Sequence, residues 1–345
     1  MAILRREPAD RLPATLDGGA HRGLCPALVA LLKEKTGSDD EAGLFDFDIR
    51  IVEGRMTSNG IDPRQYYSDL PPEATLGDWG TASISWPEHH FKKNIGPFEE
   101  ISSPREVEAY PIPGYDAFPA KGQIQILKSA GYMVSIYSGS LFEWSYWLRG
   151  HENFLVDCLT DVPLAEAILD KVYSFTLKMA SENVLAGADI ICFFDDTGFQ
   201  DRLQIPPATW RSLVKPRWRR IFEAVKRLNP DCHIFIHTCG NVEAIIPDLI
   251  EIGLDILNPL QPEAMNLDAV VRNYGRDLCF WGSLSNQRTF PFGTPDQVRE
   301  EVRHRKALFG PFWNCILSPS NILTPEVPWE NIVAFLDETG LWSQP

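Results

Sequence analysis

Short apolar runs alternate with amphipathic stretches over the C-terminal two thirds of the chain. Each run has the length of a strand and ends in polar residues, and the stretch that follows it has helical periodicity. The alternation predicts strands followed by helices, as in parallel α/β folds. The predicted strands are Tyr132–Tyr137, Asp189–Phe194, His233–Ile236, Asp255–Asn258, Leu278–Trp281 and Cys315–Leu317. The predicted helices are Pro163–Ala186, Pro207–Leu228, Val242–Ile252, Leu267–Tyr274, Pro295–Leu308 and Pro328–Leu336.

The first part of the chain has no such alternation. Residues 1–120 are rich in proline, glycine and acidic residues, and one helix is predicted there, Cys25–Lys35, which ends at Gly37. Further along, Gly253 and Gly275 stand where a helix would end with a left-handed residue. We predict a single domain over 1–345, irregular over 1–120 and built of strand–helix repeats over 121–345.

Two architectures fit this pattern. Six strand–helix units, with an N-terminal part that can supply the rest, favour a (β/α)8 barrel of the TIM type with an irregular N-terminal extension. A doubly wound sheet is the alternative, but the glycine-rich phosphate turn G-x-G-x-x-G is missing after the first strand. The sequence therefore favours the barrel.

Composition and charge narrow the class of protein. The chain has 345 residues, 44% of them hydrophobic and 23% charged, which is ordinary for a globular protein. Its 32 basic and 47 acidic residues give a net charge of −15, which argues against nucleic acid or an anionic membrane surface as a partner. We see no membrane-spanning run and no secretory signal, and the seven scattered cysteines are typical of a reducing cytoplasm.

The residues best suited to catalysis or metal binding follow the predicted strands, where active sites of such folds are built. His237 and Cys239 stand two residues apart at a strand end, so their side chains point to the same side. An imidazole and a thiolate are zinc ligands, although this spacing also suits a hydrogen-bonded histidine beside a buried thiol. Asp195 and Asp196 directly follow another strand, and alternation predicts that one enters the site while the other braces or caps the next helix.

A third strand exit is rich in hydroxyl and aromatic groups. Tyr137 is followed by Ser140, Glu143 and Trp144, and the spacing of Ser140 and Glu143 also fits a purely structural capping box. Arg149, Arg202 and Arg288 flank the exits and can pair with a substrate carboxylate or simply lie at the surface.

The sequence motifs of several classes of enzyme are absent from the chain. The chain contains no G-x-S-x-G elbow, no G-x-x-x-x-G-K-[ST] phosphate loop and no H-E-x-x-H helix. The adjacent pair His89 and His90 is not assigned to a site, because neighbouring side chains do not easily chelate one ion.

Long segments resemble the uroporphyrinogen decarboxylase superfamily, which includes methylcobalamin:coenzyme M methyltransferases. The matching segments are ADIICFFDDTGFQ (188–200), HIFIHTCGNVEAIIPDLIEIGLDILNP (233–259), FWGSLSNQ (280–287), FGTPDQVREEV (292–302) and ILSPSNILTPEVPWENI (316–332). The resemblance implies a β/α barrel. The early R-Q-A-G-R motif and the F-S-D-I-L motif of true uroporphyrinogen decarboxylases are absent, so we do not expect turnover of uroporphyrinogen.

The methyltransferase branch is the better match. It binds zinc through H-x-C and a distant cysteine, and the resemblance places the first two ligands at His237 and Cys239 and the third position at Asn321. If an ion is bound, a carboxylate such as Glu143 or Asp196 is expected to replace the missing cysteine. No complete corrinoid motif D-x-H-x-x-G is present, so any corrinoid would arrive on a separate protein.

We therefore predict a cytoplasmic enzyme that moves a methyl group between a small substrate and a separate corrinoid protein. The alternative is a metal-free decarboxylase or lyase that acts on a small carboxylated substrate with an aspartate as acid or base, and a third interpretation is a barrel that only binds a ligand. The predicted catalytic residues are Asp195, Asp196 and Tyr137, the predicted metal ligands are His237 and Cys239, and the predicted substrate contacts are Glu143, Trp144, Gln200, Gln261, Ser283 and Asn321.

Overall fold

The computed structural model describes residues 2–58, 60, 62–86 and 91–342, so the pair His89 and His90 lies outside the described residues. The strands are β1 (Ile49–Val52), β2 (Arg55–Thr57), β3 (Thr75–Leu76), β4 (Ala82–Trp86), β5 (Phe91–Ile95), β6 (Gly114–Asp116), β7 (Met133–Tyr137), β8 (Ile190–Phe194), β9 (His233–His237), β10 (Ile256–Asn258), β11 (Cys279–Trp281) and β12 (Cys315–Ile316). Most of the predicted strands are one residue longer at an end than the observed ones.

The α-helices are α1 (Pro26–Thr36), α2 (Glu41–Leu44), α3 (Pro104–Ala109), α4 (Phe118–Ser129), α5 (Phe142–Arg149), α6 (His151–Thr160), α7 (Val162–Ala186), α8 (Pro207–Leu213), α9 (Lys215–Leu228), α10 (Ile246–Glu251), α11 (Leu267–Tyr274), α12 (Thr289–Phe292), α13 (Pro295–Phe309) and α14 (Trp329–Thr339). No helix among the described residues is both long and apolar enough to cross a membrane.

Seven parallel strands form the central sheet, in the order β1-β7-β8-β9-β10-β11-β12. Alternate side chains of these strands fill an inner core that includes Ile49, Ile190, Phe235, Ile256 and Trp281. The intervening side chains pack against the surrounding helices in a larger outer core. Within the described ranges, the inner core contains strand side chains with Ile3 and Leu4 from the N-terminus and no side chain of an α-helix, which is the arrangement of an α/β barrel rather than of a doubly wound sheet.

The predicted barrel class is confirmed, with one difference in strand number. Among the described residues the sheet has seven strands, and a segment near the N-terminus continues it through isolated bridges, Ala14 with Leu317 and Leu24 with Leu323. The Thr15 N–H donates to the Leu317 carbonyl and the Leu317 N–H donates to the Pro13 carbonyl, both over 2.9 Å. Pro13 has no N–H to donate, which keeps this pairing short.

The N-terminal part contains more regular structure than its pattern indicates. It supplies β1, an antiparallel pair of β2 with β6, and a three-stranded antiparallel sheet β3-β4-β5. β2, β3 and β6 have two or three residues each, too few for periodicity to reveal them, whereas the alternating residues of β4 (ASISW) were missed. They matter for function because β2 and the β3-β4-β5 sheet border the cavity described below.

Three local predictions need correction. The predicted helix Pro207–Leu228 is two helices, because Pro216 cannot donate a backbone hydrogen bond and α9 begins beside it. The predicted helix over 242–252 begins instead as a 3₁₀ turn and becomes helical at Ile246, where Pro247 occupies the first turn. Gly253 is left-handed as predicted, with φ of 100°, whereas Gly275 is right-handed, with φ of −66°.

Candidate metal centre and adjacent cavity

Three side chains converge where β8 and β9 end. The ligand atoms of Asp196, His237 and Cys239 all lie within 4.8 Å of one another. The Cys239 Sγ is 3.3 Å from the His237 Nε2, and the Asp196 Oδ1 is 3.8 Å from the same nitrogen. A carboxylate, an imidazole and a thiolate on one point form a donor set that suits a zinc ion and leaves a fourth position open.

The paired strands explain why these residues meet. β8 and β9 are hydrogen-bonded in parallel, and the pairing continues past the strands because the Asp195 N–H donates to the His237 carbonyl over 2.8 Å. The Asp196 Oδ1 then accepts the Cys239 N–H over 2.8 Å, which fastens one exit loop to the other. A side chain on Gly240 would clash with the Phe199 carbonyl, so the close approach of the two loops requires glycine there.

Asn258 fixes the orientation of the His237 ring. Its Nδ1 lies 2.5 Å from the Asn258 Oδ1, while the Asn258 Nδ2 donates to the Trp281 carbonyl over 2.8 Å. Because the amide group has its N–H directed at Trp281, its oxygen must accept from His237, so the proton is assigned to Nδ1. The Nε2 lone pair is therefore directed at Asp196 and Cys239, as metal ligation requires.

The Cys239 thiol lies in a negative environment. Burial, together with the nearby Asp196 and Glu143 carboxylates, raises its pKa well above the usual range for a thiol. The Asn321 Nδ2 donates to the sulfur over 3.2 Å and partly offsets this effect. A divalent cation at this point would neutralise the carboxylates and hold the sulfur as a thiolate, so the residues present fit a metal ion.

Asn321 itself is placed as a donor to sulfur. Its Oδ1 accepts the backbone N–H of Ile322 over 2.7 Å, so the oxygen is engaged within its own turn. Of the two carboxylates predicted to replace the missing third ligand, Asp196 is the one that joins the cluster. Glu143 lies behind it, where its carboxylate accepts hydrogen bonds from the Asp196 backbone and the Tyr146 hydroxyl, and burial with the two aspartates raises its pKa well above normal.

Asp195 points away from the cluster and holds the start of α5. It is 2% exposed, and its Oδ1 accepts from the Ser140 hydroxyl and from the Leu141 and Glu143 N–H groups, each over 3.0 Å. Its Oδ2 accepts the Trp218 indole N–H over 3.0 Å. The capping box of Ser140 and Glu143, one of the two interpretations of their spacing, does not form: Asp195 accepts the Glu143 N–H, and the Ser140 hydroxyl accepts the Trp144 N–H over 3.3 Å.

An aromatic cavity of about 590 Å³ lies beside the cluster. It is lined by Ala20, Glu53, Gly54, Met56, Gly77, Asp78, Trp79, Thr81, Ser83, Asn94, Tyr115, Tyr137, Trp144, Trp147, Met179 and Phe194. Phe194 connects it to the cluster, because its ring centroid is 5.0 Å from that of His237 and 5.1 Å from that of Tyr137. Tyr137 and Trp144, predicted from the sequence, are thus cavity walls.

The structure does not bring every predicted residue to this point. Gln261 is buried behind the cluster, where its Oε1 accepts the Gly240 N–H over 3.0 Å and supports the turn after Cys239. Gln200 is exposed and its Nε2 donates to the Glu263 carbonyl over 2.7 Å. Ser283 has no exposed surface, and its carbonyl accepts from Arg305 over 2.8 Å.

The arginines near the exits are engaged in the fold. Arg149 donates to Asp157 over 2.6 Å and to the backbone carbonyls of Phe98, Glu99 and Ile101, so it is not available to a substrate. Arg202 is exposed and pairs with its neighbour Asp201. Neither of them, nor Arg288, lines the cavity.

One residue of the site was missed in the sequence. His21, from the N-terminal segment, has its ring centroid 5.6 Å from that of His237 and 5.2 Å from that of Phe194. Burial, with the proximity of His237, lowers its pKa to about 4, so it is neutral at physiological pH. His21 reaches the cluster only because the N-terminal segment closes the sheet, and no local sequence pattern predicts this position.

The fold and this cluster can be compared with known proteins. The model of the uroporphyrinogen decarboxylase (URO-D) family matches residues 133–340, which carry the cluster and most of the barrel. The chain belongs to the uroporphyrinogen decarboxylase family. This membership confirms the resemblance predicted from the sequence segments.

Members of the family with different chemistry are similar to this chain. A methylated-thiol–coenzyme M methyltransferase of Methanosarcina mazei is 26% identical over 195 residues, 55% of this chain and 48% of that protein. A methylcobamide:CoM methyltransferase of Methanosarcina barkeri is 26% identical over 187 residues, 54% of this chain and 51% of that protein. A uroporphyrinogen decarboxylase of Nostoc punctiforme is 23% identical over 181 residues, 52% of this chain and 48% of that protein.

The chain spans about half the length of the curated relatives it matches. A solved structure of a methyltransferase from Methanosarcina mazei is similar over 98% of this chain and 96% of that one, with a TM-score of 0.67 and 18% identity. This similarity shows the fold. Together the family and its methyltransferase members indicate that the chain is an enzyme of the uroporphyrinogen decarboxylase superfamily.

Proposed function

We propose that this protein transfers a methyl group between a small substrate and a corrinoid carried by a separate protein, with zinc bound at Asp196, His237 and Cys239. The observation that carries the proposal is the convergence of these three ligand atoms within 4.8 Å at the carboxyl ends of the strands. The similarity to coenzyme M methyltransferases supports the reaction class. A separate carrier is proposed because the chain has no corrinoid-binding motif of its own.

Each residue of the cluster has a defined part in this proposal. Asp196, His237 and Cys239 hold the ion, and when bound it supplies Lewis acidity to a heteroatom in the open fourth position. Asn258 keeps the proton on the His237 Nδ1, and Asn321 directs an N–H at the Cys239 sulfur. Asp195 supports the start of α5 and so fixes the position of Glu143 and the wall that contains Trp144.

Metal analysis tests the proposal. Protein purified without chelators and with added zinc is expected to contain about one zinc per chain, and Cys239→Ser is expected to lose most of it. Methyl transfer to or from free cobalamin, followed by visible absorption, is expected to fall with the metal. Cys232→Ser is the matched control, because Cys232 is a free cysteine directly before β9, at the end of that strand opposite His237. Full methyl transfer by metal-free Cys239→Ser would end the proposal.

The same metal analysis also tests the alternative function, a metal-free decarboxylase or lyase. It would use Asp196 as the acid or base and would release carbon dioxide from a small carboxylic acid without bound metal. No lysine or arginine lines the cavity in the described part of the chain, and a carboxylated substrate would need such a partner. We therefore propose the methyltransferase.

A further inference from the structure

The aromatic cavity is chemically distinct from the cluster that it adjoins. We infer that it binds a small methylated cation, a quaternary ammonium or tertiary sulfonium ion, as the methyl donor of the reaction. The inference rests on the proposed function, because it names the class of substrate that the cluster would act on. It depends on the charge of the cavity walls, on their aromatic rings and on their position beside His237.

The charge of the walls excludes anions. Among the described lining residues, the ones with a formal charge are Glu53 and Asp78, and both are exposed. No ion pair of either carboxylate is found within the described part of the chain. A carboxylate or sulfonate would therefore enter a negative cavity without a cationic partner, whereas a cation is attracted.

Aromatic rings form much of the cavity wall. Trp79, Tyr115, Tyr137, Trp144, Trp147 and Phe194 all line the cavity. Trp79 and Trp144 have centroids 5.1 Å apart and planes inclined at 53°, and Tyr137 stands edge-on to Trp144 at 6.0 Å. Rings inclined in this way form adjoining walls of a cage. Aromatic cages attract alkylated ammonium ions because the negative ring faces interact with the spread positive charge.

Two hydroxyl groups of these walls are paired within the protein, whereas the Trp79 indole N–H is buried without a hydrogen-bond partner. The Tyr115 hydroxyl donates to the Asn183 Oδ1 over 2.6 Å, and the Tyr137 hydroxyl is hydrogen-bonded to the Trp144 side chain. These walls therefore offer mainly rings and the thioethers of Met56 and Met179, with one free donor at Trp79. A fully alkylated onium ion has no N–H or S–H group to satisfy, so it suits such a surface better than a primary amine would.

The position of the cavity gives the cation its part in the reaction. Phe194 lies against both the Tyr137 ring and the His237 ring, so the inner end of the cavity is next to the cluster. When a methyl group leaves an onium ion, the electron pair of the broken bond stays on nitrogen or sulfur, so the heteroatom has a pair to offer the open metal position once it has become a neutral amine or thioether. The pair for the new bond to carbon would come from the reduced cobalt of the separate corrinoid protein.

Binding measurements with charged and uncharged ligands of the same shape test the inference. We would titrate the full chain with choline and with its uncharged isostere, in which a tert-butyl group replaces trimethylammonium, by calorimetry. Choline is expected to bind at least about tenfold more tightly, because ring faces and two carboxylates favour the charge. Trimethylsulfonium is expected to compete with choline, whereas mercaptoethanesulfonate is not.

Exposed variants locate the site without risk to the core. The double variant Glu53→Gln, Asp78→Asn is expected to weaken choline binding by about fivefold or more and leave the isostere unchanged. The matched control is Glu73→Gln, Asp69→Asn, which removes two exposed carboxylates outside the cavity lining and is expected to change neither. Trp147→Leu, at a half-buried wall, is expected to weaken the binding of choline more than that of the isostere.

The outcomes separate this inference from the proposed function, since binding requires neither zinc nor corrinoid. Equal affinity for choline and its isostere, no binding of either, or tighter binding of mercaptoethanesulfonate would overturn the inference even if zinc and methyl transfer are found. A clear preference for choline in a protein that holds no zinc and transfers no methyl group would instead overturn the proposed function and, with it, the donor role.

Discussion

Asp195 and Asp196 are adjacent in the chain and belong to two regions with opposite character. Around Asp195, four donors from α5, its preceding turn and α9 occupy both carboxylate oxygens, and the side chain is buried. Around Asp196, the Oδ1 accepts one backbone N–H and faces His237 and Cys239, and the side chain remains one-third exposed. One region is complete within the protein, whereas the other brings three metal-ligating atoms together at the ends of the strands.

The difference shows that two identical neighbouring residues have different roles: Asp195 supports the start of a helix, and Asp196 contributes to the candidate metal site. Side chains of consecutive residues in an extended segment point to opposite sides, so one carboxylate faces the helices and the other faces the barrel mouth. Catalytic roles for both aspartates were predicted from the sequence. The geometry instead favours Asp195 as a positioning residue, and the following predictions test this division.

Removing Asp195 should have the largest effect, and on stability. Asp195→Ala would leave the Ser140 hydroxyl, the Leu141 and Glu143 N–H groups and the Trp218 indole without their acceptor. We expect the free energy of unfolding to fall by about 4 kcal/mol or more, because each unpaired buried donor costs about 1–3 kcal/mol. Urea denaturation followed by circular dichroism measures this loss.

The isosteric variant refines that prediction. Asp195→Asn keeps an oxygen for three of the four donors and loses only the acceptor of Trp218, so its loss of stability should be the smaller. A stable Asp195→Ala protein with wild-type unfolding would show that Asp195 does not support α5.

Removing Asp196 should instead affect metal binding. Asp196→Ala is expected to lower zinc affinity at least about a hundredfold, because it removes one of three protein ligands, while unfolding changes by about 1 kcal/mol or less. Competition with a chromogenic chelator measures the affinity. Asp201→Ala, an exposed neighbour paired with Arg202, is the control and should bind zinc normally. Unchanged affinity in Asp196→Ala would remove the carboxylate from the proposed ligand set.

Asn258 connects the cluster to the barrel interior and should have an intermediate effect. Asn258→Ala removes the acceptor that holds the proton on the His237 Nδ1. We expect zinc affinity to fall by about 10–100-fold, the usual cost of losing the partner of a metal-binding histidine. The same chelator competition measures it, with the unfolding curve recorded to separate this effect from a loss of folding. An affinity equal to that of the wild type would contradict the assigned tautomer.

The smallest expected effect is a slower release of zinc, in the variant Asn321→Cys. Asn321→Cys puts a thiol at the position where the methyltransferase branch has a third ligand, and the Asn321 side chain already contacts the Cys239 sulfur over 3.2 Å. We expect zinc to be released to a chelator about tenfold more slowly, because a thiolate is added to the set. Asn321→Ser is the matched control and should show no slowing. Release at the wild-type rate in Asn321→Cys would place residue 321 outside the reach of the ion.

Much of the fold and part of the site follow from local patterns. Strand-length apolar runs and amphipathic stretches predicted β7 to β12 and most of the helices that follow them, since these depend on periodicities of two and 3.6 residues, but α5, α6 and α12 were not predicted. The same alternation put His237 and Cys239 on one side of a strand end and divided Asp195 from Asp196. Family membership, too, follows from segments within residues 133–340.

Other features exist only because distant segments meet. His21 joins the site through the pairing of the N-terminal segment with β12, and Asn258 and Asn321 reach the cluster from other strand ends. The Leu141 and Glu143 N–H groups at the start of α5 are capped by Asp195, which follows β8, rather than by a residue of the helix's own first turn. The aromatic cavity needs β2 and the β3-β4-β5 sheet to cover the barrel mouth. Periodicity reports which face of an element is buried, but not which element covers it, so these contacts were decided by the tertiary structure alone.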